Sequence, residues 1–202
     1  NWESKPRDVG DEVAHSANKE LRFFQLAHTY SIFPKENTDG EWKVSSPETT
    51  PSMSVAAYFF GKTIHQKLKV PVGLIASYWG GTNVQSWTPN AVFENNAELK
   101  KLADDTNAVN WAPTENSVIY NSMLAPLTKY KIAGAIWYQG EGNTGEPQNY
   151  GKLFEGLITG WRKAFGYEFP FYYVQIAPWD GYWQDRSGFL CGQQATALSL
   201  PR

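Results

Sequence analysis

The sequence predicts an α/β fold with a mostly parallel sheet covered by helices on both faces. Three observations carry this. Apolar runs of strand length alternate with amphipathic runs of helix length. The strand candidates are nearly continuously apolar rather than alternating, as expected of strands buried on both faces. Glycine-rich stretches, 80–82 and 139–145, follow two of these strands. In such sheets, ligands bind at the carboxyl ends of strands.

Each element has its own signal. "LRFFQLAHTY" (21–30) reads as a buried strand, "PKENTDGEW" (34–42) as a turn-rich loop and 42–45 as a short strand. "TTPSMSVAAYFFGKTIHQKL" (49–68) reads as a helix beginning near Pro51 or Ser52. Its predicted buried stripe is Met53, Ala56, Ala57, Phe60, Ile64 and Leu68. "VPVGLIASYW" (70–79) is a strand, and "GGTNVQSW" (80–87) a glycine-led loop. Helices are expected at 96–105 and at 116–127, the second ending before Pro126. "KIAGAIWY" (131–138) is a strand that runs into Gln139-Gly140-Glu141-Gly142-Asn143. A clear amphipathic helix follows at 148–165, with Tyr150, Leu153, Phe154, Leu157, Ile158, Trp161, Ala164 and Phe165 on one stripe. "FPFYYVQIAP" (169–178) is the next strand, and 188–200 the last helix. No repeat or linker interrupts the chain, so residues 1–202 are expected to form a single domain.

Composition narrows the function classes. Of 202 residues, 42% are hydrophobic and 19% charged, which suits a globular domain. The net charge of -2 and the lack of a basic stripe give a nucleic-acid partner no electrostatic support. No apolar run is long enough to cross a membrane as a helix. Cys191 is the lone cysteine, so there is no intrachain disulfide and no zinc framework. His15, His28 and His65 show no metal-ligand spacing and read as structural. No metal and no cofactor is expected. Nine Trp, eleven Tyr and eleven Phe fit either an aromatic core or stacking against sugar rings.

The residues themselves supply parts of an oxyanion hole. Gly80 and Gly81 let the backbone come close to a ligand and offer N–H groups to a developing negative charge, although on this pair alone an ordinary tight turn is the better reading. Gln139 carries a neutral NH₂ donor; a polar strand-end residue is the simpler reading. Glu141 is an acid, a base or an orienting group, and Asn143 suits loop hydrogen bonds. A glycosidase pairing of Glu141 with Asp180 or Asp185 stays open. No G-x-S-x-G elbow appears, so these residues reveal neither a nucleophile nor a base.

"VPVGLIASYWGGTNVQSWTP" (70–89), "YNSMLAPLTKYKIAGAIWYQGEGN" (120–143) and "FPFYYVQIAPW" (169–179) resemble the sialate O-acetylesterases. These belong to the SGNH hydrolase superfamily and are related to acetylxylan esterases of the same fold. The resemblance runs along nearly the whole chain in order, and includes 21–26, 54–68 and 153–166. It implies a three-layer α/β/α sandwich of flavodoxin-like type, here incomplete, and a serine esterase acting on O-acetylated sugars. It implies that Gly80 or Gly81 and the Gln139 amide bind the oxyanion, that Gly140 keeps a side chain out of the acyl pocket, and that Glu141 and Asn143 support the loop. Trp79, Trp87, Trp137 and Trp179 become the candidate sugar platform, with Trp161 in the core. Gly142 departs from the family, where a small Ser or Ala is common.

Two family blocks are missing: no Gly-Gln-Ser-Asn and no Asp-x-x-His occurs in the chain. The resemblance would put them upstream of Asn1 and downstream of Arg202. The expectation is therefore a central fragment of an esterase, inactive by itself, with a non-catalytic carbohydrate-binding remnant as the alternative. The resemblance also suggests an extracellular, periplasmic or lysosomal location.

Overall fold

The computed structural model describes residues 11–105, 109–177 and 186–200. The chain divides into two compact units, Asn1–Ala27 with Asp39–Tyr78, and His28–Thr38 with Trp79–Arg202. Both mix helices with a small sheet, so the chain is α/β.

The first unit holds strands β1 (Asn18–Leu26), β2 (Gly40–Ser45) and β3 (Val72–Ala76), with helix α1 (Val55–Leu68). The sheet order is β2-β1-β3. β1 runs parallel to β3, pairing Leu21 with Val72 and Gln25 with Ala76, and antiparallel to β2. The sheet is thus mixed. Leu21, Phe23 and Leu74 from the strands bury against Met53 and Tyr58.

α1 starts later than the hydropathy suggests. A 3₁₀ turn, Thr50–Ser52, takes up the proline, and Ser54 caps the helix by accepting a bond from the Ala57 N–H. Its buried face is also rotated from the predicted stripe. Gly61 and Tyr58 are buried, whereas Phe60 and Leu68 are 39% and 63% exposed and Ala56 faces out. The cause is close packing: a Cβ at Gly61 would lie 2.9 Å from one Leu74 methyl and 3.0 Å from a Leu21 methyl. The helix seats on the sheet through its glycine, which no hydropathy pattern marks.

The second unit holds α2 (Asn90–Glu94), α3 (Ala97–Asp104), β4 (Ala135–Trp137), α4 (Tyr150–Phe165), β5 (Phe171–Tyr173) and α5 (Arg186–Gln194). β4 and β5 pair in parallel. α4 carries the core almost as predicted: Tyr150, Leu153, Phe154, Leu157, Ile158 and Trp161 are buried, while Ala164 is exposed. Gly156 and Gly160 let Val92 and Leu99 come against the helix, with a Cβ at Gly160 falling 2.5 Å from Val92 Cγ2. The helix ends on Gly166, whose φ of +81° is the left-handed cap and whose N–H returns to the Arg162 carbonyl at 2.9 Å.

Several expectations change here, beginning with the strands predicted over 131–138 and 169–178, which shorten to Ala135–Trp137 and Phe171–Tyr173. The strand predicted over 21–30 stops at Leu26, and His28–Thr38 joins the second unit. The helix predicted over 116–127 is instead a π-helical turn, Tyr120–Leu124, followed by a 3₁₀ turn, Ala125–Lys129, that contains Pro126. Asn121 on the π turn ties the 28–38 segment down. Its Nδ2 donates to the carbonyls of Ser31 (3.2 Å) and Ile32 (2.8 Å), and its own carbonyl accepts from the Lys35 N–H at 2.8 Å.

Candidate active site

The two glycine-rich segments singled out in the sequence meet in the second unit. The first begins at Trp79. Gly81 has φ +81°, and Thr82 Oγ1 donates to the Trp79 carbonyl at 2.7 Å, which closes a tight turn. Gly80 and Gly81 are both exposed, and among the described residues neither backbone N–H has an acceptor. From Thr82 to Pro89 the chain is buried. Trp87 Nε1 donates to Thr82 Oγ1 at 2.8 Å, and Asn83 caps the 3₁₀ turn Val84–Trp87 through the Ser86 N–H at 3.0 Å.

The second segment leaves β4 at Gln139 and makes a 3₁₀ turn, Glu141–Asn143. Side-chain amides lock it to the first. Gln139 Nε2 donates to the Thr82 carbonyl and to Asn143 Oδ1, each at 2.9 Å. Asn143, 3% exposed, also accepts from the Val84 N–H at 2.8 Å and donates Nδ2 to Gln85 Oε1 at 3.0 Å. These bonds fix which end of each amide is oxygen and which is nitrogen. Behind them, Tyr150 Oη donates to Gln139 Oε1 at 3.0 Å, and Gln194 Nε2 to the Gln139 carbonyl at 3.0 Å. Tyr150 is fully buried, and burial is the main cause that raises its phenol pKa far above the usual value.

The fate of each expected site residue differs. Gln139 and Asn143 come together with the Gly80–Gly81 segment. Glu141 is exposed, and its carbonyl supports the turn by accepting from Thr144 Oγ1 at 2.9 Å. Gly140 is a packing residue, since a Cβ there would lie 2.7 Å from Ile176 Cγ2 and 3.0 Å from Leu190 Cδ2. Trp79 is half-buried, stacked on His28 at 4.8 Å and 13°, with Tyr30 tilted against it.

Trp87 and Trp137 are corrected. They are 3% and 7% exposed and meet edge to face in a cluster with Trp161, Phe154 and Phe171, so neither offers a face to a sugar. Trp161 is buried as expected, and its Nε1 donates to the Trp87 carbonyl at 2.8 Å. Trp179, Asp180 and Asp185 lie outside the described residues, so the glycosidase pairing has no geometry here.

Sequence reasoning missed Thr82, Gln85 and Gln194 as members of this network, and took Tyr150 only as core. It also missed Trp111, 69% exposed, whose indole Nε1 would lie 2.6 Å from a Cβ at Gly81. The described residues hold no cluster of His, Cys, Asp or Glu fit for a metal ion and no helix long and apolar enough to cross a membrane.

An α/β chain with amide-tied loops following its strands can host many chemistries, and the fold by itself names none. Comparison with known proteins makes the class specific. The family model for carbohydrate esterases, sialic acid-specific acetylesterases, matches residues 15–196. The chain belongs to that family. It is 30% identical over 159 residues to mouse sialate O-acetylesterase and 34% identical over 134 residues to the human one. Each match covers 62% of this chain, and 29% and 25% of those relatives. Among solved structures it is similar to a carbohydrate acetylesterase from Xanthomonas citri, with a TM-score of 0.83 and 28% identity. That match covers 96% of this chain and 44% of the other. The chain thus spans under a third of the curated relatives' length.

Proposed function

We propose that this chain forms the oxyanion-binding part of a carbohydrate O-acetylesterase that hydrolyses acetyl esters on sugars through a serine nucleophile. The observation that carries the reading is the hydrogen bond from Gln139 Nε2 to the Thr82 carbonyl. It joins the two segments that the family resemblance associates with the oxyanion, beside two exposed glycine N–H groups without partners.

In this mechanism a serine hydroxyl attacks the acetyl carbonyl and passes its proton to a histidine. The carbonyl oxygen becomes an oxyanion held by N–H donors. The sugar alcohol leaves with that proton, and water then releases acetate from the acetyl-serine. The resemblance assigns the serine and histidine to blocks that the 202 residues do not contain. Gly80 and Gly81 are ready donors in the ground state. The Gln139 N–H groups are both engaged, so Gln139 donates to the oxyanion by exchanging its bond to Thr82 or Asn143 for one to the more basic substrate oxygen. Such an exchange favours the transition state over the bound ester.

The wider reading is a single SGNH-type domain with a three-layer α/β/α arrangement, and an O-acetylated sugar such as 9-O-acetyl sialic acid as substrate. Acetylated xylan is the competitor. Trp79, with His28 against one face, is the remaining described candidate for stacking on the sugar. An extracellular, periplasmic or lysosomal location follows from the same reading. The test is acetate release by the protein as encoded, from O-acetylated sialic acid and from acetylated xylan. Release from the first alone supports the sialate reading. Release from neither, with glycan binding retained, replaces it with the carbohydrate-binding remnant.

A further inference from the structure

We propose that Tyr150 is a positioning residue that sets the direction of the Gln139 carboxamide. The proposal rests on the esterase reading for its catalytic consequence and on hydrogen-bond geometry for its physical content.

The Tyr150 hydroxyl has one proton to give and two acceptors in reach, the Gln139 carbonyl at 3.2 Å and Gln139 Oε1 at 3.0 Å. The carbonyl already accepts from Gln194 Nε2 at 3.0 Å. The phenol oxygen in turn accepts from Trp137 Nε1 at 3.3 Å. The phenolic proton is therefore directed to Oε1. With Oε1 held there, Nε2 must face the Thr82 carbonyl and Asn143 Oδ1. The opposite orientation would set oxygen against two oxygens and leave the Thr82 carbonyl without a donor, while Asn143 Oδ1 would keep only the Val84 N–H.

The hydroxyl is not needed for packing. The Tyr150 ring lies against Phe154 with centroids 5.4 Å apart, and a phenylalanine would keep that contact. What the hydroxyl adds is polar. A hydrogen bond accepted by an amide oxygen polarises the group and strengthens its N–H donors. Burial keeps the phenol protonated, and so a donor, well into alkaline pH; the nearby Trp137 and Gln194 donors oppose that shift without cancelling it.

The test uses the protein as encoded, with Tyr150→Phe, Gln139→Ala and the double variant. The first readout is hydrogen exchange of the Gln139 side-chain amide protons by NMR. The second is kcat and KM for p-nitrophenyl acetate. Tyr150→Phe is expected to speed that exchange at least about tenfold and to lower kcat about tenfold with KM within about twofold. Added to Gln139→Ala, it is expected to lower kcat no further, because it acts through the lost amide. Unchanged exchange in Tyr150→Phe overturns the proposal, as does an equal loss of kcat in both backgrounds. If the unmutated protein cleaves no acetyl ester, the esterase reading fails instead, and amide exchange alone decides the role of Tyr150.

Discussion

Gly80–Gly81 and Gly140–Gly142 look like the same device in the sequence, glycines just past a strand. They are opposites in the structure. A Cβ at Gly80 would meet nothing within 4 Å, and the pair is exposed with free N–H groups. A Cβ at Gly142 would lie 2.4 Å from the Thr82 carbonyl oxygen, and one at Gly140 would press into Ile176 and Leu190. One glycine pair leaves its backbone donors facing solvent. In the other, Gly142 lets two loops close on each other tightly enough for Gln139 and Asn143 to bridge them, and Gly140 lets the turn pack on Ile176 and Leu190. The difference teaches that glycine at a strand end can mean access or contact, and only the neighbours decide which.

Substitutions separate the two uses. Gly142→Ala is expected to have the largest effect, because its Cβ meets backbone that has no side chain to swing aside. A loss of about 1–3 kcal/mol is expected in urea unfolding, with esterase activity falling as the loops part. A loss under about 0.5 kcal/mol would mean that the contact gives way easily, as the small side chains common at this position in the family would allow. Gly81→Ala comes next. Its φ of +81° is strained for alanine, and a cost of about 1–2 kcal/mol is expected. The Trp111 indole nearby is a side chain and can move, so thermal melting should report mainly the backbone term. Gly80→Ala is expected to change stability by less than about 0.5 kcal/mol. A larger loss at Gly80 than at Gly142 would invert the comparison.

The same contrast explains what was legible. α4 announces its buried face, because the residues that touch the core are large, apolar and helically spaced. α1 does not, since its contact with Leu21 and Leu74 is made at Gly61, leaving Phe60 and Leu68 outside. The Gln139–Asn143 pair was readable as the two ends of a polar strand-end loop of five residues. Its partner Thr82 lies 57 positions away and joins through a backbone carbonyl, which no side-chain pattern marks. Trp87 and Trp137 sit beside glycine-rich loops, as platform residues do. Long-range packing buries them, Trp137 against Trp161 and Phe171 and Trp87 against Trp137, and nothing local in the sequence distinguishes the two cases. The segment 28–38 follows a strand but is captured by Asn121 on a π-helical turn, again a contact of nearly 90 positions.

Gln139 has two duties in this account. It ties the loops in the ground state and donates to the oxyanion in the transition state. Its removal therefore costs stability as well as rate, since the Thr82 carbonyl, Asn143 Oδ1 and the Tyr150 hydroxyl each lose a partner. The most direct measurement is kcat for acetyl-ester hydrolysis by the encoded protein and its Gln139→Ala variant, taken at a temperature where both are folded. The account predicts a fall of about 10²–10³-fold, the size seen when one oxyanion donor is removed. Activity within about threefold of the unmutated protein would contradict it and leave Gln139 a structural tie alone.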